Sequence, residues 1–361
     1  TSLDQRIIEY KENDRSITYV DQAKQLTKTK NNYQQLVHSQ VLQETLKRLD
    51  KSFKSFFRRV KDQKTKAGFP RFKSWTRYHS FCYPQAGFRL TNNNKRISLS
   101  KIGDIKLKYS RPIEGIIKTC RVIRDVDQWF IVLTCISDPK PVPQSTNPTV
   151  GIDVGLTTFL ALSDGTHIEN PRTLKHSETK LAKTQRKLSH LTKGSSNRNK
   201  QRIKVAKVHR TIRRQRDDFL HKLSSQLVNN YGRIIFEDLN IQNMLKNHKL
   251  AKHIADASWN KLIQFTTYKA ESAGCVVELV NARNTSQLCS GCGSKVPKTL
   301  KDRIHCCPQC GLEMDRDDNA ARNILARSIG GAGQARSKAS GECVRLNQVK
   351  QCSLKEESTG L

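Results

Sequence analysis

Residues 289–311 read CSGCGSKVPKTLKDRIHCCPQCG. Cys289 and Cys292 make one C-x2-C pair, Cys307 and Cys310 a second, and 14 residues separate them. Two such turns each present a pair of thiolates, and one tetrahedral ion can take all four, as in a zinc ribbon. Gly293 and Gly311 directly follow the pairs and let the chain fold back around the metal. Four thiolates with Zn2+ carry a net charge of about −2, which Lys295, Lys298, Lys301, Arg303 and His305 would offset. Two disulfides, the competing reading, suit neither the spacing nor a reducing compartment. Cys306 leaves a register question, because Cys306–Cys310 would be C-x3-C; the Pro-Gln-Cys-Gly turn favours Cys307. The other seven of the 11 cysteines lack ligand spacing and read as small core residues.

The rest of the chain is strongly cationic. Its 361 residues carry 65 Lys+Arg against 32 Asp+Glu, a formal net charge of +33. That surplus favours a polyanionic partner, because Lys and Arg contacts to phosphates release counterions and drive binding. No stretch approaches the ~18 apolar residues of a membrane span. The first residues, TSLDQRIIEYKE, have no apolar signal region and no Met, so the expectation is a cytosolic chain whose start is missing.

Four pieces follow from patterning. Residues 1–72 read as a helical module. Val37, Val41, Leu42, Leu46, Leu49, Phe53, Phe56, Phe57 and Val60 recur at mostly helical spacing and predict an amphipathic helix, most of whose stripe is core. From Phe53 to Tyr83, nine aromatics interleave with nine Lys or Arg, which suits either packing or base stacking. Residues 73–148 read as a small β domain closed by the Pro-rich linker SDPKPVPQSTNP (137–148). Residues 149–361 alternate strand and helix, which implies an α/β sheet. Within them, TVGIDVGLTTFLALSDGTHI predicts strands turned at Asp164-Gly165, and GRIIFEDLN (232–240) and CVVELV (275–280) predict further strands. SWNKLIQFTTYKAESAG (258–274) predicts a helix ended by Gly274. Between them lies a helical hairpin, 175–229, broken at GSSNRN. Leu181, Leu188 and Leu191, then Ile203, Ile212, Phe219, Leu220, Leu223 and Leu227, give its inner face. Residues 175–222 hold sixteen Lys/Arg against three acids, where a merely solvated face would mix signs.

Against this background, acids at element ends are conspicuous. Asp153 sits in GIDVG, Glu237 ends IIFEDL, and Asp315, Asp317 and Asp318 cluster in EMDRDDNAARNIL. Each alone has a plain explanation; the last three could simply neutralise a helix N-terminus. Together, at element ends in one α/β domain, Asp153, Glu237 and an aspartate of the last motif predict a carboxylate site. Converging carboxylates repel unless divalent cations lie between them. Oxygen ligands suit Mg2+, and two such ions can activate water for phosphodiester hydrolysis.

The motif series GIDVGLTTFLALSDG, DDFLHKLSSQLVNNYGRIIFEDLN, NTSQLCSGCG, CPQCG and DRDDNAARNIL, in this order and spacing, resembles the OrfB/TnpB proteins of bacterial insertion sequences, small relatives of type V CRISPR effectors. GFPRFKSW and the Gly-rich tail after Ile329 are similar to that family as well. The resemblance implies a RuvC-type nuclease domain of RNase H-like fold (149–361) with an inserted helical hairpin, a zinc ribbon (284–314) and a C-terminal tail (328–361). A recognition-like helical module and a wedge-like β domain precede it. It implies an RNA-guided DNA endonuclease linked to transposition, acting as a monomer on a guide RNA from the end of its own element. Asp153, Glu237 and Asp317 would hold two Mg2+, Asp317 being chosen as the acid two residues before Asn319; Asp315 and Asp318 are neighbours. Family members begin with a further strand and a short helix ahead of Thr1, which puts target-motif reading in question. Two other readings stand beside this one: a non-cutting regulator of transposition, which would be marked by a lost acid, and a transposase acting directly on element ends.

Overall fold

The computed structural model describes residues 1–63, 66–138, 141–299, 302–329 and 349–355. The chain divides into two compact units, 1–139 with 344–361, and 140–343; the division falls inside the Pro-rich linker.

The first unit opens with helices α1 (Ser2–Asn13), α2 (Tyr19–Lys28), α3 (Asn32–Gln35) and α4 (Ser39–Asp62). Capping boxes start α1 (Thr1/Asp4) and α2 (Thr18/Asp21), satisfying amides that have no partner within the helix. Strands β1 (Ser80–Tyr83), β2 (Phe88–Thr91), β3 (Arg96–Leu99), β4 (Gly103–Lys106), β5 (Ile116–Asp125) and β6 (Gln128–Ile136) follow. β1, β5 and β6 form one antiparallel sheet, and β2, β3 and β4 another. Tyr83, Ile97, Leu99, Cys120, Val122, Ile131 and Leu133 bury between them.

The apolar stripe of α4 behaves differently from the expectation. Of its residues only Leu46 is buried; Val41 packs on the strand core, while Phe57 is 60% and Val60 48% exposed. The reason is length. A helix of 24 residues runs about 36 Å, and the shorter α1 and α2 do not cover it. At its distal end Phe53 and Phe56 each meet Phe69 edge-on, and Phe57 packs against Phe53 and Phe56.

The second unit contains, in order, β7 (Thr149–Val154), β8 (Thr158–Leu162), β9 (His167–Glu169), α5 (Thr173–Ser189), α6 (Ser196–Asn230), β10 (Arg233–Asp238), α7 (Ile241–Met244), α8 (Ala251–Ala257), α9 (Trp259–Ala273), β11 (Val276–Asn281), β12 (Ile304–Cys306), β13 (Glu313–Asp315) and α10 (Arg316–Ile329). The central sheet has order β11-β10-β7-β8-β9. β10 runs parallel to β7 and β11, whereas β7, β8 and β9 are antiparallel neighbours. One face packs on α6 and α9 through Val150, Ile152, Phe236, Leu220, Leu227 and Leu262. The other receives α10, where Ile324 meets Ile235 and Val280. Cover on both sides explains why β10 reads as an unbroken apolar run rather than an alternating one.

Gly274 ends α9 in the left-handed conformation, φ 71°, as the sequence predicts. In the hairpin, α6 buries Val205, Val208 and Ile212, but Ile203 is 42% exposed, against expectation, because the helix turns it away from α5. Finally, β14 (Val349–Lys355) lies antiparallel on β6, so this part of the tail adds a strand to the first unit's sheet instead of extending the second unit. Residues 330–348 and 356–361 of the expected tail, and 300–301 of the ribbon, lie outside the described residues. Among the described residues no helix is long and apolar enough to cross a membrane.

Candidate active site and metal centre

The site is built on one close contact. A Cβ on Gly151 would lie 2.3 Å from the Ala321 carbonyl oxygen, so only glycine lets α10 settle onto β7 there. From that contact, Asp153 lies two residues along the strand, about 6.6 Å, and Asp317 lies one helical turn back, about 6 Å. The two advances match and bring Asp317 to the level of Asp153. Glu237 arrives from the neighbouring strand. The parallel ladder pairs Phe236 with Ile152, so the next residues, Glu237 and Asp153, leave the sheet on its opposite face, the side that carries α10.

Electrostatics record the convergence. Burial first, then the nearby charges of Glu237 and Asp317, push the Asp153 carboxyl well above the usual carboxylate range; Arg316 opposes them. Burial also raises Glu237, which accepts a hydrogen bond from the Thr285 hydroxyl. Arg316 donates to Asp317 Oδ1 from Nε at 3.1 Å and from Nη2 at 3.0 Å. The three acids are neighbours in the field, yet their oxygens do not form a group lying entirely within 4.8 Å.

The aspartate cluster divides its roles. Asp315 Oδ1 accepts the Asp317 amide at 2.7 Å, which is the capping function. Asp318 pairs with His167 Nε2 at 2.5 Å, a bond that raises the histidine's pKa. Asp317 is the one whose charge acts on Asp153. His167, Asp315 and Asp318 also bring one ligand atom each to within 4.8 Å of the others.

The four cysteines do come together. Cys289, Cys292, Cys307 and Cys310 place all their Sγ atoms within 4.8 Å of one another. Cys289–Cys310 and Cys292–Cys307 are each 3.6 Å apart. Sulfurs around zinc at 2.3 Å bonds would sit about 3.8 Å apart, so the set fits a tetrahedral ion. Hydrogen bonds from the Ser294 hydroxyl and amide pull Cys292 down to about 6, toward the thiolate that a metal requires. Cys306 is exposed and does not belong to that group, which takes Cys307 instead. It also corrects the expectation that every other cysteine is core; Cys82, Cys120, Cys135 and Cys275 are buried, and Cys343 lies outside the described residues.

Two asparagines tie the cysteine turns to the acid-bearing helix. Asn319 accepts the Ser290 amide at 2.9 Å and donates to the Leu288 carbonyl at 2.7 Å. Asn323, one turn on, donates to the Thr285 and Leu288 carbonyls. Both are buried. Their i, i+4 spacing beside Asp317 is the only mark of this role in the local sequence.

Comparison with known proteins identifies the family. A profile described as "Probable transposase" (OrfB_IS605) matches residues 131–248, and one for a "Cas12f1-like, TNB domain" matches 259–324. A protein of Streptomyces pristinaespiralis named "Putative RNA-guided DNA endonuclease" is 37% identical over 87% of this chain and 79% of its own length. The chain belongs to the OrfB/TnpB family. A second relative, InsQ of Escherichia coli K12, carries the same description and is 33% identical over 80% of this chain and 74% of its own. A chain from the cryo-EM structure of a Cas12f1–sgRNA–target DNA complex aligns over 90% of each chain at 17% identity and TM-score 0.39. That likeness is too loose to add to the sequence relationship.

Proposed function

We propose that this OrfB/TnpB protein is an RNA-guided, Mg2+-dependent DNA endonuclease whose active site is Asp153, Glu237 and Asp317. The observation that carries the reading is geometric: the β7–β10 register sends Asp153 and Glu237 to the sheet face on which α10 packs at Gly151, one turn from Asp317, and burial first, then the charges of Glu237 and Asp317, raise the Asp153 carboxyl there. The sheet order, with three antiparallel strands followed outward by two parallel ones, supports an RNase H-like, RuvC-type domain. The names carried by the relatives support the activity and the RNA-guided DNA target.

The donors are hard carboxylate oxygens, a set that suits Mg2+ better than a softer metal. Bound there, Mg2+ supplies an activated water and stabilises the leaving oxygen. The chain's own residues set the geometry. Gly151 admits α10, Thr285 orients Glu237, and Arg316 holds the Asp317 carboxylate while neutralising part of its charge. Cys289, Cys292, Cys307 and Cys310 would hold a structural zinc that stiffens the turn to which Asn319 is bonded.

Nucleic-acid binding falls to the basic hairpin α5–α6. Its three acids are each taken up by a lysine, Glu178 by Lys252, Asp217 by Lys261 and Asp218 by Lys222. The remaining charge of the stretch is therefore positive and suits a phosphate backbone. The first unit, with α1–α4 as a recognition-like module and its strands as a wedge-like domain, would engage the guide RNA and the target flank. The exposed aromatics Phe57, Phe69 and Phe72 are available for stacking.

The test is cleavage with Asp153→Ala after co-purification with the bound RNA. Cutting should disappear while the amount and identity of that RNA stay unchanged. A variant that cuts as well as the parent would remove Asp153 from the site, and a parent bringing no specific RNA would favour the transposase reading.

A further inference from the structure

Beside Glu237 the surface dips into a cavity of about 430 Å³ lined by Val280, Asn281, Arg283, Asn284 and Arg327. Its polar lining residues are Arg283, Arg327, Asn281 and Asn284, with no carboxylate among the described residues that line it. The loop after β11 that forms it is firmly held. Arg327, from α10, donates to the carbonyls of Asn281 and Arg283, and the Arg283 amide donates to Asn281 Oδ1 at 2.9 Å. Arg327 is thus spent on positioning the loop. The guanidinium of Arg283 is not: it is exposed and, among the described residues, makes no hydrogen bond or ion pair.

The same loop also reaches the acid site. Val280 lies directly opposite Glu237 in the ladder, one strand spacing of about 4.8 Å away. Two residues after Arg283, Thr285 donates to the Glu237 carboxylate. The cavity wall and the acid site therefore share Val280 and the loop that ends at Thr285, and a polyanion held at the acids can continue along that loop past Arg283. A guanidinium fork is matched to phosphate oxygens, and the volume accommodates a phosphate with its sugar.

We propose that this cavity is a phosphate subsite for the nucleic-acid strand being cut, with Arg283 contacting a phosphate beside the scissile one and Arg327 acting as a positioning residue. The inference rests on the nuclease reading above and goes further by fixing where the substrate strand leaves the acids. It also assigns a function to a loop residue that lies outside the acid and cysteine motifs.

Two experiments test it. In the first, the dinucleotide pTpT and inorganic phosphate are titrated calorimetrically into the full-length parent, Arg283→Gln and Arg283→Lys, all without divalent metal. Arg283 is exposed, so equal Tm values should confirm that the variants fold. Loss of the charge-assisted contact should weaken pTpT binding about tenfold in Arg283→Gln and less in Arg283→Lys. Equal pTpT affinity in all three overturns the subsite, and equally reduced binding of inorganic phosphate alone would reassign the cavity to a free anion. In the second, the parent and Arg283→Gln cut DNA carrying a single neutral methylphosphonate at successive positions. The parent should show interference at one phosphate beside the cut, and Arg283→Gln, slower by a similar factor, should lose that dependence. Identical interference patterns overturn the proposal. A parent that cuts nothing overturns the nuclease reading instead, and the pTpT titration still decides the subsite.

Discussion

At the scale of residues, Asp153 is the most exposed to test. Its pKa in the fold lies above its unfolded value, so the folded chain keeps the proton to higher pH than the unfolded one. Stability contributed by this group is therefore greatest below the unfolded pKa, about 3.9, and falls as pH rises through the folded value. In magnesium-free buffer at neutral pH, Asp153→Asn should unfold at a higher temperature than the parent, by about 2–4 °C per kcal/mol of relieved repulsion. The difference should vanish toward about pH 4. Thermal melts across that range check the sign. The same variant should lose cutting by about a thousandfold or more, so stability and activity move in opposite directions. The three aspartates of the last motif teach a related lesson. Their composition suggested both capping and metal binding, and the structure assigns capping to Asp315, a histidine to Asp318 and the field at Asp153 to Asp317.

At the scale of elements, the decisive contact is β7 against α10. Gly151→Ala sets a Cβ against backbone that cannot yield and should cost about 1–3 kcal/mol. It should also displace Asp317 from Asp153, so cutting should fall further than the lost stability explains. Thermal unfolding and cleavage by the same preparation separate the two effects. The cysteine turns are coupled to the same helix. Cys307→Ser should abolish stoichiometric zinc, measured by elemental analysis, and loosen the turn that Asn319 grips. Asn319→Ala should keep zinc but leave the half-buried Ser290 amide without its side-chain partner, at about 1 kcal/mol. α4 makes the contrary point: its exposed end contributes little to packing. Phe57→Ala should change stability by less than about 0.5 kcal/mol. If the ring stacks a base, it should weaken RNA binding by about 1–3 kcal/mol, read in a filter-binding assay.

At the scale of the whole molecule, charge governs. With a net +33, nucleic-acid affinity should fall linearly in log–log form with salt, losing about 10³-fold or more between 50 and 200 mM if six or more phosphates are contacted. A flat response would contradict backbone binding by the hairpin. The cysteine spacing, the main strands of the central sheet, α9, and the hairpin with its charge were legible in the residues, because each is written in local chemistry and short-period patterning, whereas the short helices α7 and α8 were not. The expected core role of the α4 stripe was not, since a helix face says that it is apolar and not what lies beneath it. The loop of Arg283 was likewise silent, because its cavity exists only once β11 and α10 are adjacent. The sequence by itself determined which residue types could hold metal and which surface would be cationic; spacing along a chain specifies those. Only the tertiary structure decided which carboxylates face one another, because that depends on Gly151 meeting Ala321 across 170 residues of chain, a contact no local pattern encodes.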